Sequence, residues 1–544
     1  MKTVIVLLLL LAAKISLPQH EMKSSSDVKD VRLIPGLGSY SFKVSTDNEL
    51  AQKFFDQGLT LIYAFNHEEA IRSFKKAASI DHDLAMAYWG IAFSLGPNYN
   101  LPADNEQRKN AYKYLKKAIK HRKHATEKET DFINALSKRY SGNLSRDQSE
   151  LNKDFRTAMK SVYDKYPDDP DAGTIYAESM MVLKPWQLWD NNGNPAEGTL
   201  EIVSVLEGVL KKTSNHPGAN HYYIHAVEAS KDPGKALNSA VILKTLVPAA
   251  GHLVHMPAHT LFRIGDYSGA SDANIAAIKS DENYITVYNP AGIYPVMYYN
   301  HNINFLSVSR MFEGKYNESI NEAKKIESNT REMMNEMQML ESFHANPLMI
   351  LIAFNKWDEI LYYKAPEYGL NTYSSIVHFA RGIAFAAKNN AAEADNELIL
   401  FEESKSKVKP EDVIGTNSAV NILNLAGKIL SANILLSKSD TAGALALLTE
   451  AKGMEDKINY DEPPDWYPSV RLNLGKILFS SRKYIEAENI FREDLKKYPH
   501  NGRGLFGLYQ SLKEQNKTDE AEKYYQEFND AWKNSDFILT MDNL

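Results

Sequence analysis

Cysteine is absent from the 544 residues. That excludes disulfides, thiolate nucleophiles, cysteine-ligated zinc or iron–sulfur sites, and lipidation at a cysteine after a leader. Any metal is therefore expected on nitrogen and oxygen ligands. There is no glycine-rich phosphate loop, no His-Glu-x-x-His pair and no nucleophile elbow. Blocks of Lys and Arg that would track a phosphate backbone are missing, and the net charge is -7, so nucleic acid is not an expected partner. Strand-type alternation is scarce.

Only one long apolar run stands out. Met1, Lys2 and Thr3 are followed by apolar residues from Val4 to Ala13. One positive charge before about ten apolar residues resembles a secretory signal peptide, and the run is short for a membrane span. No other segment approaches that length. Residues 1–18 are expected as the signal peptide and 19–46 as a flexible mature N-terminus. The protein is then exported, to the periplasm or the cell surface, with no membrane span once the leader is removed.

What the chain does have is helical periodicity. Apolar residues recur at three-to-four spacing, and internal similarity appears at a period near 34 residues. One unit runs from Ala51 to Leu84 with Phe54, Gly58, Leu61, Ala70, Phe74 and Ala77. The next begins at Ala85 with Tyr88, Ala92 and Leu95. Another spans Gly251 to Glu282 with Gly265, Tyr267, Ala270 and Ala277. Two more close the chain, with Gly475, Ala487, Phe491 and Pro499, then Tyr509, Ala521 and Tyr524. This pattern of small, large and aromatic residues resembles the tetratricopeptide repeat, in which each unit is two antiparallel helices. The resemblance implies an all-α solenoid, a right-handed superhelix of about ten to twelve helical pairs over residues 47–532, with a C-terminal tail at 533–544. Each unit buries its apolar stripe only against its neighbours, so such arrays extend. Insertions interrupt the period near 97–107, 184–197, 285–298 and 458–467. Long irregular loops in a regular solenoid are often functional.

Seven of the fifteen histidines fall between His216 and His301. His221, His225 and Glu228 form one cluster, and His252, His255 and His259 another. Residues three, four and seven apart share one face of a helix. In tetratricopeptide arrays, as the resemblance implies, the second, fifth and ninth positions of the first helix face the concave groove and not the core. His252, His255 and His259 occupy those positions. His221 and Glu228 take the second and ninth of the preceding unit, Glu178 the ninth of the unit before it, and His301 the second of the following one. The expected metal ligands are His221, His225, Glu228, His252, His255, His259 and His301. A mixed imidazole and carboxylate shell suits a divalent transition metal, Zn, Fe, Mn, Ni or Cu, as one ion or two.

Alternatives stand beside this reading. The same cluster can be a hydrogen-bonding network for a polar ligand, or a pH-responsive patch. Pro257 either bends the helix or marks its start. Trp186, Trp189 and Tyr223 are candidates for the pocket wall, with ordinary repeat packing as the other reading. Arg263 is a candidate ligand-binding residue, or a partner of Glu228 or Asp266. His67 reads as a turn histidine. The first functional expectation is an exported repeat protein with a metal site in its groove, able to act as a metal-dependent enzyme with Glu228 or Glu178 as general base. The second is a non-enzymatic scaffold holding a peptide, protein or small molecule in the groove. The third is an ion that only pins the superhelix. The polar clusters look similar to those of large bacterial tetratricopeptide proteins of unassigned activity, so the resemblance lends no reaction.

Overall fold

Helix N-termini are written plainly into the chain. Asp104 with Gln107 and Thr126 with Glu129 form capping boxes, and Asp169 caps a helix that opens on Pro170. In the computed structural model, which describes residues 30–334, 337–366 and 369–544, these signals open antiparallel helical pairs that follow one another along the chain. Among the described residues the only paired strands are the two-residue segments Val413–Ile414 and Asn417–Ser418. The architecture is an all-α, tetratricopeptide-like solenoid. The signal-peptide segment lies outside the described residues.

The repeat pattern has a direct packing cause. The Phe74 ring sits between two helices at Gly58 and Gly90, where an added Cβ would lie 2.7 and 2.6 Å from its carbons. Phe491 sits in the same way between Gly475 and Gly507, at 2.6 and 2.4 Å. In both units glycine lets neighbouring helices close on one aromatic ring.

Two expectations change. The stretch expected to be flexible up to residue 46 is packed from Val31 onward. Val31, Ile34, Leu37, Phe42 and Val44 are buried, and Ala249 donates its backbone N–H to the Gly36 carbonyl at 3.0 Å. Their burial gives an extended strap enough apolar contact to hold it on the helical array. Further, helix Ala419–Ser437 does reach the length and apolarity of a membrane span, with a mean hydropathy of 1.5. Over half of it is buried, against helices Asn371–Ala387 and Thr441–Glu455, as a core helix of the array.

There are two large apolar cores. One runs from Val31 to Tyr298 and the other from Ala258 into the C-terminal helices. They meet at the histidine-bearing segment: Met256 belongs to the first and Ala258 to the second. The solenoid also closes on itself. Phe65 packs on His221 and His252, Asn191 donates to the Asp456 carbonyl at 3.0 Å, and Tyr267 donates to the Pro499 carbonyl at 2.8 Å. The C-terminal segment returns to the middle of the chain, where Asp536 accepts the N–H groups of Tyr316 and Asn317 and so caps helix Tyr316–Thr330.

Candidate metal centre

Three elements carry the imidazoles. Helix Pro217–Val227 holds His221 and His225, with Glu228 as its C-cap. The second element is Gly251–His255 followed by Pro257–Arg263. Met256 between them keeps right-handed helical angles, φ -51° and ψ -34°, so Pro257 interrupts one helix without ending its course. Gly251 allows this helix to start against Asp281, whose Oδ1 would lie 2.0 Å from an added Cβ. Helix Tyr294–Phe312 contributes His301.

The positions expected to face the concave groove and not the core are buried here. His221 and His255 have no solvent exposure, and His225, His252 and His259 have at most 2%. The turn after the first helix folds Phe65 over the site, with its ring centroid 4.5 Å from that of His221 and 5.3 Å from that of His252. Tyr298 closes another side, 5.0 Å from His252. Tight curling of the superhelix turns a groove face into an interior one.

Inside, the hydrogen bonds assign the ring protons. Burial alone would raise the Glu228 carboxyl, but the imidazoles of His259 and His225 outweigh it and hold it at about 2. As a carboxylate it only accepts. His225 Nδ1 donates to its Oε1 at 2.8 Å and His259 Nδ1 to its Oε2 at 2.6 Å. His221 Nδ1 donates to the Tyr63 carbonyl at 2.6 Å. Asn274 Nδ2 donates to the Ala270 carbonyl, which turns Oδ1 toward His255 Nδ1, 2.6 Å away. Burial, reinforced by neighbouring imidazoles, drives His221, His252 and His255 well below the ordinary imidazole range, and His301 to about 3. His225 is lowered by burial as well, with Glu228 opposing.

A neutral imidazole carries one N–H. With Nδ1 committed as donor, the Nε2 atoms of the neutral His221, His225 and His255 rings present lone pairs, and His259 Nε2 lies among them. His255 Nε2 lies 2.9 Å from His259 Nε2 and 3.2 Å from His301 Nε2. His252 Nε2 lies 3.1 Å from His221 Nε2. His225 Nε2 is buried without a hydrogen-bond partner. Two nitrogens bound to one ion at about 2.0–2.1 Å stand roughly 2.9–3.4 Å apart for angles between square and tetrahedral. Among the described residues three groups are close enough to hold an ion: two all-imidazole triads, His221 with His225 and His252, and His255 with His259 and His301, and a third, His225 with Glu228 and His259, that shares a ring with each. Glu228 joins them, since it holds one ring of each.

The other expected site residues fall differently. Glu178 is buried beside Arg139, whose Nη2 lies 3.4 Å from its Oε1, and it joins none of the imidazole groups. Tyr223 donates to Glu207 at 2.8 Å, and Trp189 Nε1 donates to the Ala226 carbonyl at 2.7 Å. Neither lines the cavity described below. Trp186 does line it, edge-on to His225 with centroids 5.6 Å apart. Arg263 pairs with the backbone of Glu228, donating Nε to its carbonyl at 2.9 Å, and its Nε lies 4.0 Å from Glu462. Glu228, expected as a ligand, lies with His225 and His259 in a third group close enough to hold an ion, and both its oxygens accept from those imidazoles, so neither is left as a free base. His67 accepts from Asn98 Nδ2 at 3.1 Å, outside the triads. Phe65, Tyr63 and Asn274 were not anticipated from the sequence. Phe65 does leave a trace, because it occupies a left-handed turn position (φ 54°) where other units carry Gly265, Gly314, Asn355, Asn389 and Asn516.

A cavity of about 250 Å³ opens from the imidazoles of His225, His252, His259 and His301. Its wall is mainly apolar, with Phe343, Ile376, Phe379 and Trp466 among the lining groups. Residues 461–467 from the far end of the chain close it. No Lys or Arg is among the lining residues.

No protein-family model and no curated protein matches the chain. Among solved structures it is similar to the human IFIT1 dimer with m7Gppp-AAAA, at 12% identity and a TM-score of 0.35, over 89% of this chain and 91% of that one. It is similar to yeast Tom70 at 13% identity and a TM-score of 0.30, over 91% and 94%. Cut9 of the APC/C hetero-tetramer Cut9–Hcn1 follows at 10% identity and 0.30, over 90% and 74%. At this level of superposition they say nothing of the site, and the fold statement above rests on the helix pairing itself.

Proposed function

We propose that the chain is a metalloprotein with two transition-metal ions in facing three-imidazole sets, serving as a metal-dependent enzyme on a small, largely apolar molecule. One observation carries this reading. His255 Nε2 and His259 Nε2 face each other at 2.9 Å while both Nδ1 atoms are committed as donors. Two buried ring nitrogens at that distance need a proton or a metal ion between them, and His301 Nε2, 3.2 Å from the same His255 nitrogen, adds a third donor that one metal ion would serve. An all-imidazole set suits Zn, Cu, Fe or Ni better than Mn, which prefers oxygen ligands. Three protein ligands leave a position open on each ion, the arrangement of catalytic sites, and a bound metal there supplies Lewis acidity or redox chemistry. The cavity begins at the same imidazoles, and its volume fits a small molecule. Glu228, Asn274 and the Tyr63 carbonyl hold the rings of His221, His225, His255 and His259 by their Nδ1 atoms. Export, to the periplasm or cell surface, remains part of the proposal and rests on the apolar run at the N-terminus.

A second reading is a binding scaffold braced by structural ions. The complete burial of His221 and His255 favours it. The two readings separate on ligand access. Protein loaded with Co(II) is titrated with azide, and the visible spectrum of the metal is followed. The enzymatic reading expects saturable changes in the absorption bands, because azide enters through the cavity to an open position. A spectrum indifferent to azide would leave the bracing role.

A further inference from the structure

We propose that the centre takes copper, and that Met297 supplies a thioether ligand to the ion held by His255, His259 and His301. This rests on the imidazole centre proposed above. A chain without cysteine has one soft donor left, the methionine thioether, which the expectation of nitrogen and oxygen ligands alone omits.

The methionines are not spread evenly around the site. Of sixteen in the chain, Met297, Met339 and Met349 line the same cavity as His225, His252, His259 and His301. Met333, Met334 and Met337 pack with Met297 and Met339 into one apolar cluster behind that wall. The position of Met297 is the informative one. It precedes His301 by four residues in helix Tyr294–Phe312. Residues at that spacing share a helix face, with Cβ atoms about 5–6 Å apart, and both side chains line the cavity. Two rotatable bonds place a methionine sulfur and a third turns its methyl aside, so the sulfur can follow an ion bound to the neighbouring imidazole. Leucine would fill the same volume without adding a donor.

Ligand chemistry then narrows the metal. Imidazole alone accepts Zn, Cu, Fe or Ni, whereas a thioether beside it selects copper, above all Cu(I). Among the described residues no cationic side chain lines the cavity to oppose entry of the ion. The other triad has no methionine on its own helices within a turn of its imidazoles on the cavity side, except Met256, which is buried in the first apolar core. The two ions are therefore inequivalent, one held by three imidazoles and one by three imidazoles with a sulfur, so the open position for a substrate falls to the ion of His221, His225 and His252.

The test uses the full chain stripped of metal. It is titrated without oxygen with Cu(I) in competition with bicinchoninate, and separately with Zn(II). Copper-edge X-ray absorption is recorded on the Cu(I) form. Wild type is expected to bind two Cu(I), to prefer it to Zn(II), and to show sulfur scattering from one of the two ions. Met297→Leu, close in volume, is expected to weaken one Cu(I) at least tenfold and to lose the sulfur signal, while two Zn(II) still bind and certify the fold. Unchanged Cu(I) affinity in that variant, or nitrogen scattering alone in wild type, would overturn the Met297 ligand, and a preference for Zn(II) would overturn the copper assignment, either result leaving the imidazole centre standing. Binding of neither ion would overturn the centre itself.

Discussion

Replacing His255 and His259 together by alanine is expected to remove one of two metal ions and, with it, about half of the stabilisation that metal confers. The two rings supply two of the three nitrogens of one set, so a single imidazole, His301, would remain. An ion that binds the folded chain alone stabilises it by about 4 kcal/mol when present at a thousand times its dissociation constant. Thermal unfolding with and without a chelator measures this. Chelation is expected to lower the melting temperature of wild type strongly and that of the double variant about half as far. The metal-free forms should differ in a smaller way. The variant loses two buried rings and leaves Asn274 Oδ1 and one Glu228 oxygen without their donors, but it also relieves the close approach of the His255 and His259 ring nitrogens. An equal response to chelation in both proteins would show that these imidazoles hold nothing.

The second large effect is expected from Glu228→Gln. The wild-type carboxylate accepts from His225 Nδ1 and His259 Nδ1 at once. A glutamine amide offers one accepting oxygen and one donating nitrogen in their place. Whichever ring meets the NH₂ group must move its proton from Nδ1 to Nε2, and its lone pair then points away from the metal. His225 belongs to one triad and His259 to the other, so one ion loses a ligand in either orientation. Affinity for that ion is expected to fall 10–100-fold, the range for lost partners behind a ligating histidine. The other ion should bind nearly as before. Competition titration with a coloured chelator resolves the two. Two ions bound with native affinity would mean that Glu228 does not set the tautomers.

Helical spacing made much of this centre visible before any coordinates. His252, His255 and His259 fall on one face because of their intervals, and the repeat register aligned them with His221 and Glu228. What the register could not carry was the path of the superhelix. The bond from His221 to the Tyr63 carbonyl joins residues 158 positions apart, and Phe65 arrives by the same closure. Local pattern carries no record of that distance. Glu178 shows the opposite failure. Its position matched the groove face, but the Arg139 guanidinium, buried nearby, captured it. Tyr223 and Trp189 were drawn to Glu207 and the Ala226 carbonyl for a similar reason, because a buried hydroxyl or indole N–H must find an acceptor. Asn274 was legible in principle, as a buried amide in a helix of small residues between Ala273 and Ala277, but nothing in its own segment names His255 as its partner.

Elemental analysis of the chain purified without an affinity tag, referred to protein measured by amino-acid analysis, is the most direct measurement. Two transition-metal ions per chain are expected, or two taken up from solution when the isolated protein is offered Zn(II) or Cu(I). A chain that carries none and binds none would contradict the reading of these converging nitrogens as a metal centre.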